Sequence, residues 1–401
     1  VGNRVEEVDR RGIVQRFGFD RENREIWQWR DGVTLLETRY DDNGNRILET
    51  DANRHTTSYD HDERDLLIAE NRPLAAVTTY RRDDVGDVVV ERDPEGRRTE
   101  RAYDLRRRLI TETDSAGAVT TFAWDGNGNR LGVQRPEASG PEEIWRSEYD
   151  TADRLVAVVD PLGHRTEYDY DPNGQLVLVR DAEGQETRFE YDERGRRVRK
   201  LYQDGAEELE AWDAQGNRVA MRDPLGQTIE MAYDALDREI ERRYPEPEAA
   251  PDATDWLERI ETSYDPSGNP VRIDEIYTGP TGVRTTAQAF DRFDRLTSVT
   301  DPRGETLLYQ YDANGNRTSL VDPDGERTRY TFDALNRVTR VSTAAGSTEY
   351  AYLRDGRLRE VAYPNGTTAT STYDAAGRVA TIENEQSGVE VSRYEYAYDA
   401  N

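Results

Sequence analysis

Three histidines, His55, His61 and His164, are the only imidazoles in the chain, and none stands in a His-Glu-x-x-His or other zinc-binding spacing. There is no cysteine, which removes disulfides, thiolate metal sites and cysteine nucleophiles. The serine-hydrolase elbow Gly-x-Ser-x-Gly and the phosphate loop Gly-x-x-x-x-Gly-Lys-Ser/Thr are both missing. Asp125-Gly126-Asn127-Gly128-Asn129 and Asp312-Ala313-Asn314-Gly315-Asn316 look like the first half of a calcium loop. Such a loop needs Gly at its sixth position and Glu at its twelfth. These positions hold Arg130 and Pro136 in one case and Arg317 and Pro323 in the other, so both segments read as turns. Carboxylates are plentiful, but acid–base catalysis needs a pair whose environments separate their pKa values, and no pair is singled out. The expectation is a protein that is not an enzyme, with no catalytic residues, no cofactor and no metal ligands.

The partners are bounded by charge. The formal net charge is −28, which opposes binding to nucleic acid or to anionic membranes. Lys200 is the only lysine, so the basic residues are otherwise Arg, suited to planar pairing with carboxylates. No apolar run approaches the roughly 20 residues of a membrane span. With 35% hydrophobic and 34% charged residues and a mean hydropathy of −0.97, a conventional packed globule is not expected. Disorder would fit that composition, but the aromatic residues fall at regular positions. A thin sheet with many side chains meeting water reconciles the two.

Those regular positions define a repeat. Aromatic residues, usually followed by Asp, anchor it at Phe19, Tyr40, Tyr59, Tyr80, Tyr103, Trp124, Tyr149, Tyr170, Tyr191, Trp212, Tyr233, Tyr264, Phe290, Tyr311, Phe332, Tyr352, Tyr373 and Tyr398. Ten of the seventeen intervals equal 21 residues. Within one unit, Tyr170-Asp171-Pro172-Asn173-Gly174 opens a turn. Leu176 to Val179 follows as a β-branched-rich run. Asp181-Ala182-Glu183-Gly184 makes a second turn, and Thr187, Phe189 and Tyr191 alternate with Arg188 and Glu190 on the return. Asp bonds its own backbone at the head of each turn, and Gly supplies the positive φ at its end. The two-apart aromatic pairs, such as Tyr309/Tyr311 and Tyr330/Phe332, would stack into ladders. Tryptophan could stack on sugars, but packing in the ladder is expected. Arg after each turn is expected to pair with Asp and Glu of neighbouring repeats.

Two turn classes alternate. One carries Gly-Asn-Arg, as in Gly44-Asn45-Arg46 and Gly216-Asn217-Arg218. The other carries Asp or Asn before Arg, as in Asp153-Arg154, Asp237-Arg238 and Asn336-Arg337. Asp and Asn are the non-glycine residues that best tolerate the left-handed region. A pair of repeats is therefore the expected unit. Insertions fall at Pro245 to Trp256, Pro136–Glu143, Thr278–Val283 and Glu383–Val389. All four sit at the second turn of a repeat, so they should project from one rim, where glycan or protein contacts could form. The chain begins and ends at the same phase of the repeat, which reads as one continuous array over 1–401, of about 18 repeats, cut from a longer protein. At about 4.8 Å per strand, that array would make a ribbon of roughly 170 Å. Such a sheet must twist and coil. The fold expected is all-β: tandem hairpins in a spiralling, hollow shell or solenoid.

Tyr191-Asp192-Glu193-Arg194-Gly195-Arg196 and Tyr373-Asp374-Ala375-Ala376-Gly377-Arg378, each followed by a strand, resemble the rearrangement-hotspot (Rhs) or YD-repeat family. The resemblance covers essentially the whole chain. It implies a spiral β-sheet shell. In toxin members of the family this shell encloses a C-terminal toxic domain, and in teneurins a similar shell belongs to an adhesion receptor. The expected role is thus a non-catalytic shell segment of a secreted or cell-surface protein, with the enclosed toxin or cargo outside this chain. The alternative is an extracellular scaffold that binds glycans or proteins through its rim loops.

Overall fold

The turns are built as the Asp-x-x-Gly pattern requires. In a computed structural model that describes residues 2–135, 143–246 and 255–398, the Asp192 N–H donates to the Arg196 carbonyl at 2.9 Å, and the Gly195 N–H donates to the Asp192 carbonyl at 3.0 Å. Asp192 Oδ1 then accepts from the N–H groups of Arg194 and Arg196 at 2.9 and 3.0 Å. Gly195 has φ +78°, the left-handed end of a type I turn that closes a hairpin. The second turn of each repeat, a second-class turn at the other end of the strands, follows this scheme at Asp181–Gly184.

Between the turns run strands of three to eight residues, 36 among the described residues. All belong to one antiparallel sheet. Each strand pairs with the one before it and the one after it, as Arg165–Tyr170 does with Leu155–Val159 and with Leu176–Arg180. The only helical element described is the 3-10 turn Pro73–Ala75, which stands in for one second-class turn. Two insertions are taken up as longer hairpins. Leu257–Tyr264, Pro270–Tyr277 and Val283–Phe290 each have eight residues, and Val379–Gln386 also has eight. The sequence 278–283 closes tightly, with the Gly282 N–H on the Gly279 carbonyl. Most of the Pro136–Glu143 insertion and most of Pro245 to Trp256 lie outside the described residues.

There is no conventional core. No large side chain among the described residues is fully buried, and the buried apolar residues are Ala76, Val90, Ala157, Leu178, Met231 and Val361. Most strand side chains are half-buried, which is what a single curved layer offers. One stretch of one face carries a relay of ion pairs across strands, from Glu148 to Arg165, Glu167, Arg180, Glu186 and Arg188. These groups are well exposed, so each pair contributes only about 0–1 kcal/mol.

The sheet's register corrects two anchors. A one-residue register shift marks the aromatic anchor of nearly every repeat, as at Glu190/Tyr191 and Ala211/Trp212. The shift falls at Asp60/His61 and Arg81/Arg82, so His61 and Arg82 hold the anchor positions and Tyr59 and Tyr80 lie two residues earlier. The uneven spacing around Tyr59 and Tyr80 then disappears: Phe19, Tyr40, His61, Arg82, Tyr103 and Trp124 follow one another at 21 residues.

Candidate functional site

Two joints hold the wall together, one between neighbouring repeats and one between successive turns of the coil.

The first joint uses the anchor's polar tip. The Tyr191 hydroxyl donates to the Leu176 carbonyl at 2.8 Å, fifteen residues back. Tyr40, Tyr103, Tyr170, Tyr233, Tyr311 and Tyr373 make the equivalent bond at the same separation. At Trp124 and Trp212 the indole N–H replaces the hydroxyl, reaching the Leu109 and Arg197 carbonyls at 2.8 Å. At Arg82 the guanidinium Nε does so, reaching the Leu67 carbonyl at 2.9 Å. Any residue with a donor at the right reach satisfies this carbonyl, which explains how a charged residue occupies an aromatic position. His61 is shorter, and its buried Nδ1 has no partner.

The two kinds of Tyr-Asp turn then alternate as lock and receiver. In one class the Arg four residues after the turn Asp binds that Asp and reaches forward. Arg196 bonds Asp192 Oδ2 at 2.8 Å, donates to the Asp213 carbonyl of the next repeat at 2.7 Å, and lies over the Trp212 ring at 5.7 Å. Arg154 and Arg295 do the same toward Asp171/Tyr170 and Asp312/Tyr311. In the other class the Arg is replaced by Asn. The Asn217 amide bonds its own Asp213 at 3.0 Å and donates to Asp237 Oδ1 in the next turn at 2.8 Å. Asn45 to Asp65, Asn129 to Asp153, Asn269 to Asp294 and Asn316 to Asn336 repeat it. A pair of repeats is therefore the chemical unit. Asp65, Asp153, Asp237 and Asp294 have φ between 57° and 62°, and their side chains are inter-repeat acceptors as well as tolerant left-handed residues. The lock Arg thus pairs with its own Asp and with the next repeat's carbonyl and ring, whereas other turn arginines pair with carboxylates of a neighbouring repeat as expected, Arg218 with Glu210 at 3.1 Å and Arg165 with Glu148 at 2.6 Å. The Arg196 hydrogen bonds hold the Asp192 carboxyl below the usual carboxylate range, and Arg108 and Arg238 do so for Asp104 and Asp234.

The second joint links residues about 260 positions apart. Asn53 donates its N–H to Asn314 Oδ1 at 3.0 Å and its amide to Asp312 Oδ2 at 2.9 Å, separations of 261 and 259 residues. Asn314 returns a bond to Asp51 Oδ2 at 2.6 Å. Arg354 donates its N–H to Glu95 Oε1 at 2.8 Å, and Ser115 bonds the Ala375 carbonyl. Arg97 and Arg357 converge on Asp355, at 2.7 and 2.8 Å, and the Asp355 side chain is only 5% exposed. At the start of the seam Arg11 and Arg30 share Asp294, at 2.5 and 2.9 Å, while Arg292 reaches Asp31 at 3.0 Å. These seam contacts are polar, and the Arg30 guanidinium also lies over the Phe293 ring.

A constant separation means that the sheet returns to itself after one turn. The offset in these contacts is about 23 strands, so at about 4.8 Å per strand the circumference is roughly 110 Å and the diameter roughly 35 Å. An odd strand offset sets a second-class turn of one coil on a Tyr-Asp turn of the next, and those two turn classes lie on opposite rims. Side chains extend about 5 Å from each sheet, leaving roughly 25 Å clear across the coil.

Of the residues weighed for chemistry, His55 and His164 sit beside turn carboxylates, His55 Nδ1 at 3.3 Å from Asp51 and His164 Nδ1 at 2.8 Å from Asp160. The loops at Asp125 and Asp312 are turns. Asp125 Oδ1 accepts three backbone N–H groups and Oδ2 accepts the Asn129 amide; Asp312 binds Asn316 and Asn53. Among the described residues no three His, Asp or Glu side chains cluster so as to hold a metal, and no helix is long and apolar enough to cross a membrane. Trp124 and Trp212 pack as ladder residues; Trp27 and Trp29 do not.

These joints define a class of molecule, a coiled wall of β-hairpin repeats. The profile of the RHS Repeat family matches residues 82–119, 103–139, 149–182, 170–207, 212–249, 264–306, 290–327, 311–348 and 352–389. The chain belongs to the RHS repeat family. Its fold is similar to the crystal structure of TcdB2-TccC3 without the hypervariable C-terminal region, with a TM-score of 0.72 at 14% identity over 97% of this chain and 23% of that one. TcdB2-TccC3-TEV gives 0.70 at 15% identity, again over 97% and 23%. A Tc holotoxin pore of Photorhabdus luminescens gives 0.54 at 15% identity, over 95% and 25%. The chain thus spans about a quarter of the length of these solved chains. No curated protein matches it.

Proposed function

We propose that this chain is a non-catalytic wall segment of an RHS shell, and that the shell encloses a polypeptide cargo carried outside the segment itself. The observation that carries this reading is the seam. Hydrogen bonds and ion pairs at a recurring separation near 260 residues close a thin sheet around a space, and a sheet serving only as a flat display surface has no use for them. Likeness to TcdB2-TccC3, solved without its hypervariable C-terminal region, supports a downstream segment as the cargo. The chemistry of such a shell is exclusion. The wall separates the cargo from protease and solvent, and the sequence's lack of a catalytic constellation fits that role. Delivery of cargo would place the protein outside the cell or at its surface, with the second-class rim, including the hairpin ends near Gly282 and Gly388, open to glycans or protein partners.

The test is protease protection of the natural full-length product. Its downstream segment should resist digestion while the wall is native and become sensitive once the wall is unfolded. A downstream segment cut equally fast in both states would reject encapsulation. A reconstruction of the wall showing no lumen would reject the shell.

A further inference from the structure

Five Asn-Gly dipeptides lie at turn tips: Asn43-Gly44, Asn127-Gly128, Asn173-Gly174, Asn314-Gly315 and Asn365-Gly366. A glycine after asparagine has no Cβ to shield its backbone nitrogen, and attack by that nitrogen is what makes asparagine amides labile. Among the described residues, Asn314 is the one of the five whose hydrogen bonds cross the seam. Its Oδ1 accepts the Asn53 N–H at 3.0 Å, and its Nδ2 donates to Asp51 Oδ2 at 2.6 Å on the other coil turn and to Asn336 Oδ1 at 2.9 Å in the next repeat. The Asn43 and Asn127 amides have the within-coil bond alone, to Asp65 and Asp153, both at 2.8 Å.

The closed coil guards the Asn314 amide. The Gly315 N–H donates to the Asp312 carbonyl at 3.2 Å, so its nitrogen is engaged in the turn. To meet that nitrogen the Asn314 side chain must swing back over its own backbone, against its bonds to Asn53, Asp51 and Asn336. Parting the seam removes the bonds to Asn53 and Asp51. The Gly315 nitrogen then forms a bond to Asn314 Cγ, the Cγ–Nδ2 bond breaks, and Nδ2 leaves as ammonia with the proton of the Gly315 N–H. Water opens the cyclic imide, breaking one C–N bond and leaving a carboxyl group that ionises. Water is the only co-reactant, and nothing is oxidised or reduced.

The product meets a hostile site. An oxygen in place of Nδ2 faces Asp51 Oδ2, and like charges at such a distance oppose each other's ionisation. Most other seam contacts hold a guanidinium, as Arg11 and Arg30 on Asp294, Arg292 on Asp31, and Arg97 and Arg357 on Asp355. Among the described residues the Asp51 and Asp312 side chains have no arginine ion pair. Asp51 has His55 beside it at 3.3 Å, and Asp312 Oδ2 takes the Asn53 and Asn316 amides. We infer that Asn314 is a self-modification site that latches the coil open: once the seam parts, the Gly315 nitrogen converts the Asn314 amide to a carboxylate, and that charge, set against Asp51, opposes reclosure. The latch rests on closure through the seam and not on what the wall encloses.

The test has a kinetic and a structural arm. The folded chain is aged in mildly alkaline buffer, and deamidation of each Asn-Gly peptide is followed by mass spectrometry, with the urea-unfolded chain as reference. Relative to that reference, Asn314 should react about tenfold or more slowly than Asn43 and Asn127, the effect of two further hydrogen bonds. Asn314→Asp supplies the product directly. It should raise the radius of gyration in small-angle scattering and speed proteolysis near residues 51–54 and 312–315. Asn43→Asp, which sets a carboxylate against Asp65 away from the seam, should match the parent in both. Asn314→Ser loses the amide without gaining a charge and should open the coil less than Asn314→Asp. Circular dichroism establishes that each variant is folded, and the kinetic arm uses the parent alone, so it stands even where a variant does not fold. Equal folded-state rates at Asn314 and Asn43, a coil as closed in Asn314→Asp as in the parent, or equal opening by Asn314→Ser and Asn314→Asp overturns the proposal.

Discussion

Tyr191 shows what a single anchor contributes. Its ring packs in the ladder, and its hydroxyl caps the Leu176 carbonyl, the first carbonyl of the strand that follows the previous turn. Burial raises the Tyr191 pKa above its usual value, so the hydroxyl stays protonated and donating at all ordinary pH. Tyr191→Phe keeps the ring and removes the donor. The expected cost is about 1 kcal/mol, the net worth of one such hydrogen bond. The mirror experiment is Phe332→Tyr, which places a hydroxyl fifteen residues from the Arg317 carbonyl and should stabilise by a similar or smaller amount. In an array, neighbouring repeats open locally rather than all at once. Native-state hydrogen exchange of the amides flanking residues 176 and 317 is therefore the suitable measurement. Equal exchange in Tyr191→Phe and the parent would show that the hydroxyl bond adds nothing beyond ring packing.

At the scale of the hairpin, the turn carboxylate is the titrating element. Asp192 is held below the usual carboxylate range first by the Arg196 side chain and then by the Arg196 and Arg194 backbone N–H groups. A carboxyl whose folded pKa is depressed binds fewer protons folded than unfolded. Its contribution is full above the unfolded value of about 4 and is lost as pH falls through the lower folded value. The parent should thus hold its stability from neutral pH down to about 5 and lose it below about 4. Asp192→Asn keeps an oxygen for the turn amides but loses the charge that Arg196 grips. It should be less stable than the parent at pH 7, and the gap should close in acid, measured by urea melts across a pH series. A gap that widened in acid would reverse the assigned sign. Much of this hairpin was legible in the sequence: Asp-x-x-Gly marked the turns, alternation marked the return strand, and the alternating turn classes marked the pair. Three things were not legible. Residue type favoured Tyr59 and Tyr80 although even spacing points to His61 and Arg82, because the anchor reads in sequence as an aromatic ring while the joint accepts any donor of sufficient reach, as Arg82 shows. The Asp before Arg was read for its backbone tolerance, whereas its side chain also accepts the preceding repeat's Asn. Trp27 and Trp29 were assigned to the ladder because strand phase, which sets their face, becomes fixed only with the register.

That the ribbon coils was legible in its length, but the size of the coil was not, because its pitch depends on twist accumulated over about 23 strands and no local motif reports that sum. Its seam can nevertheless be tested at one residue. Asp294 accepts Arg11 and Arg30 from the other coil turn and the Asn269 amide from the preceding repeat. Asp294→Asn keeps a left-handed-tolerant side chain and an oxygen for Asn269, and so leaves the within-coil joint in place. It removes the negative charge on which two guanidinium groups converge. Asp237→Asn is the matched control. Asp237 occupies the same turn position and accepts Asn217 in the same way, and among the described residues its hydrogen bonds and ion pairs stay within its own coil turn. Between the two variants only the seam differs. Asp294→Asn should raise the radius of gyration in small-angle scattering and speed proteolysis near residues 9–12 and 291–295, with little change in the β-sheet signal. Asp237→Asn should match the parent in all three. Added salt should shift the parent toward the Asp294→Asn behaviour, because partly exposed ion pairs are screened over a Debye length of about 8–10 Å at ordinary ionic strength and about 3 Å at 1 M. A coil that stays closed in Asp294→Asn and at high salt would mean that sheet curvature alone sets the turn, and that the seam contacts follow from closure instead of causing it.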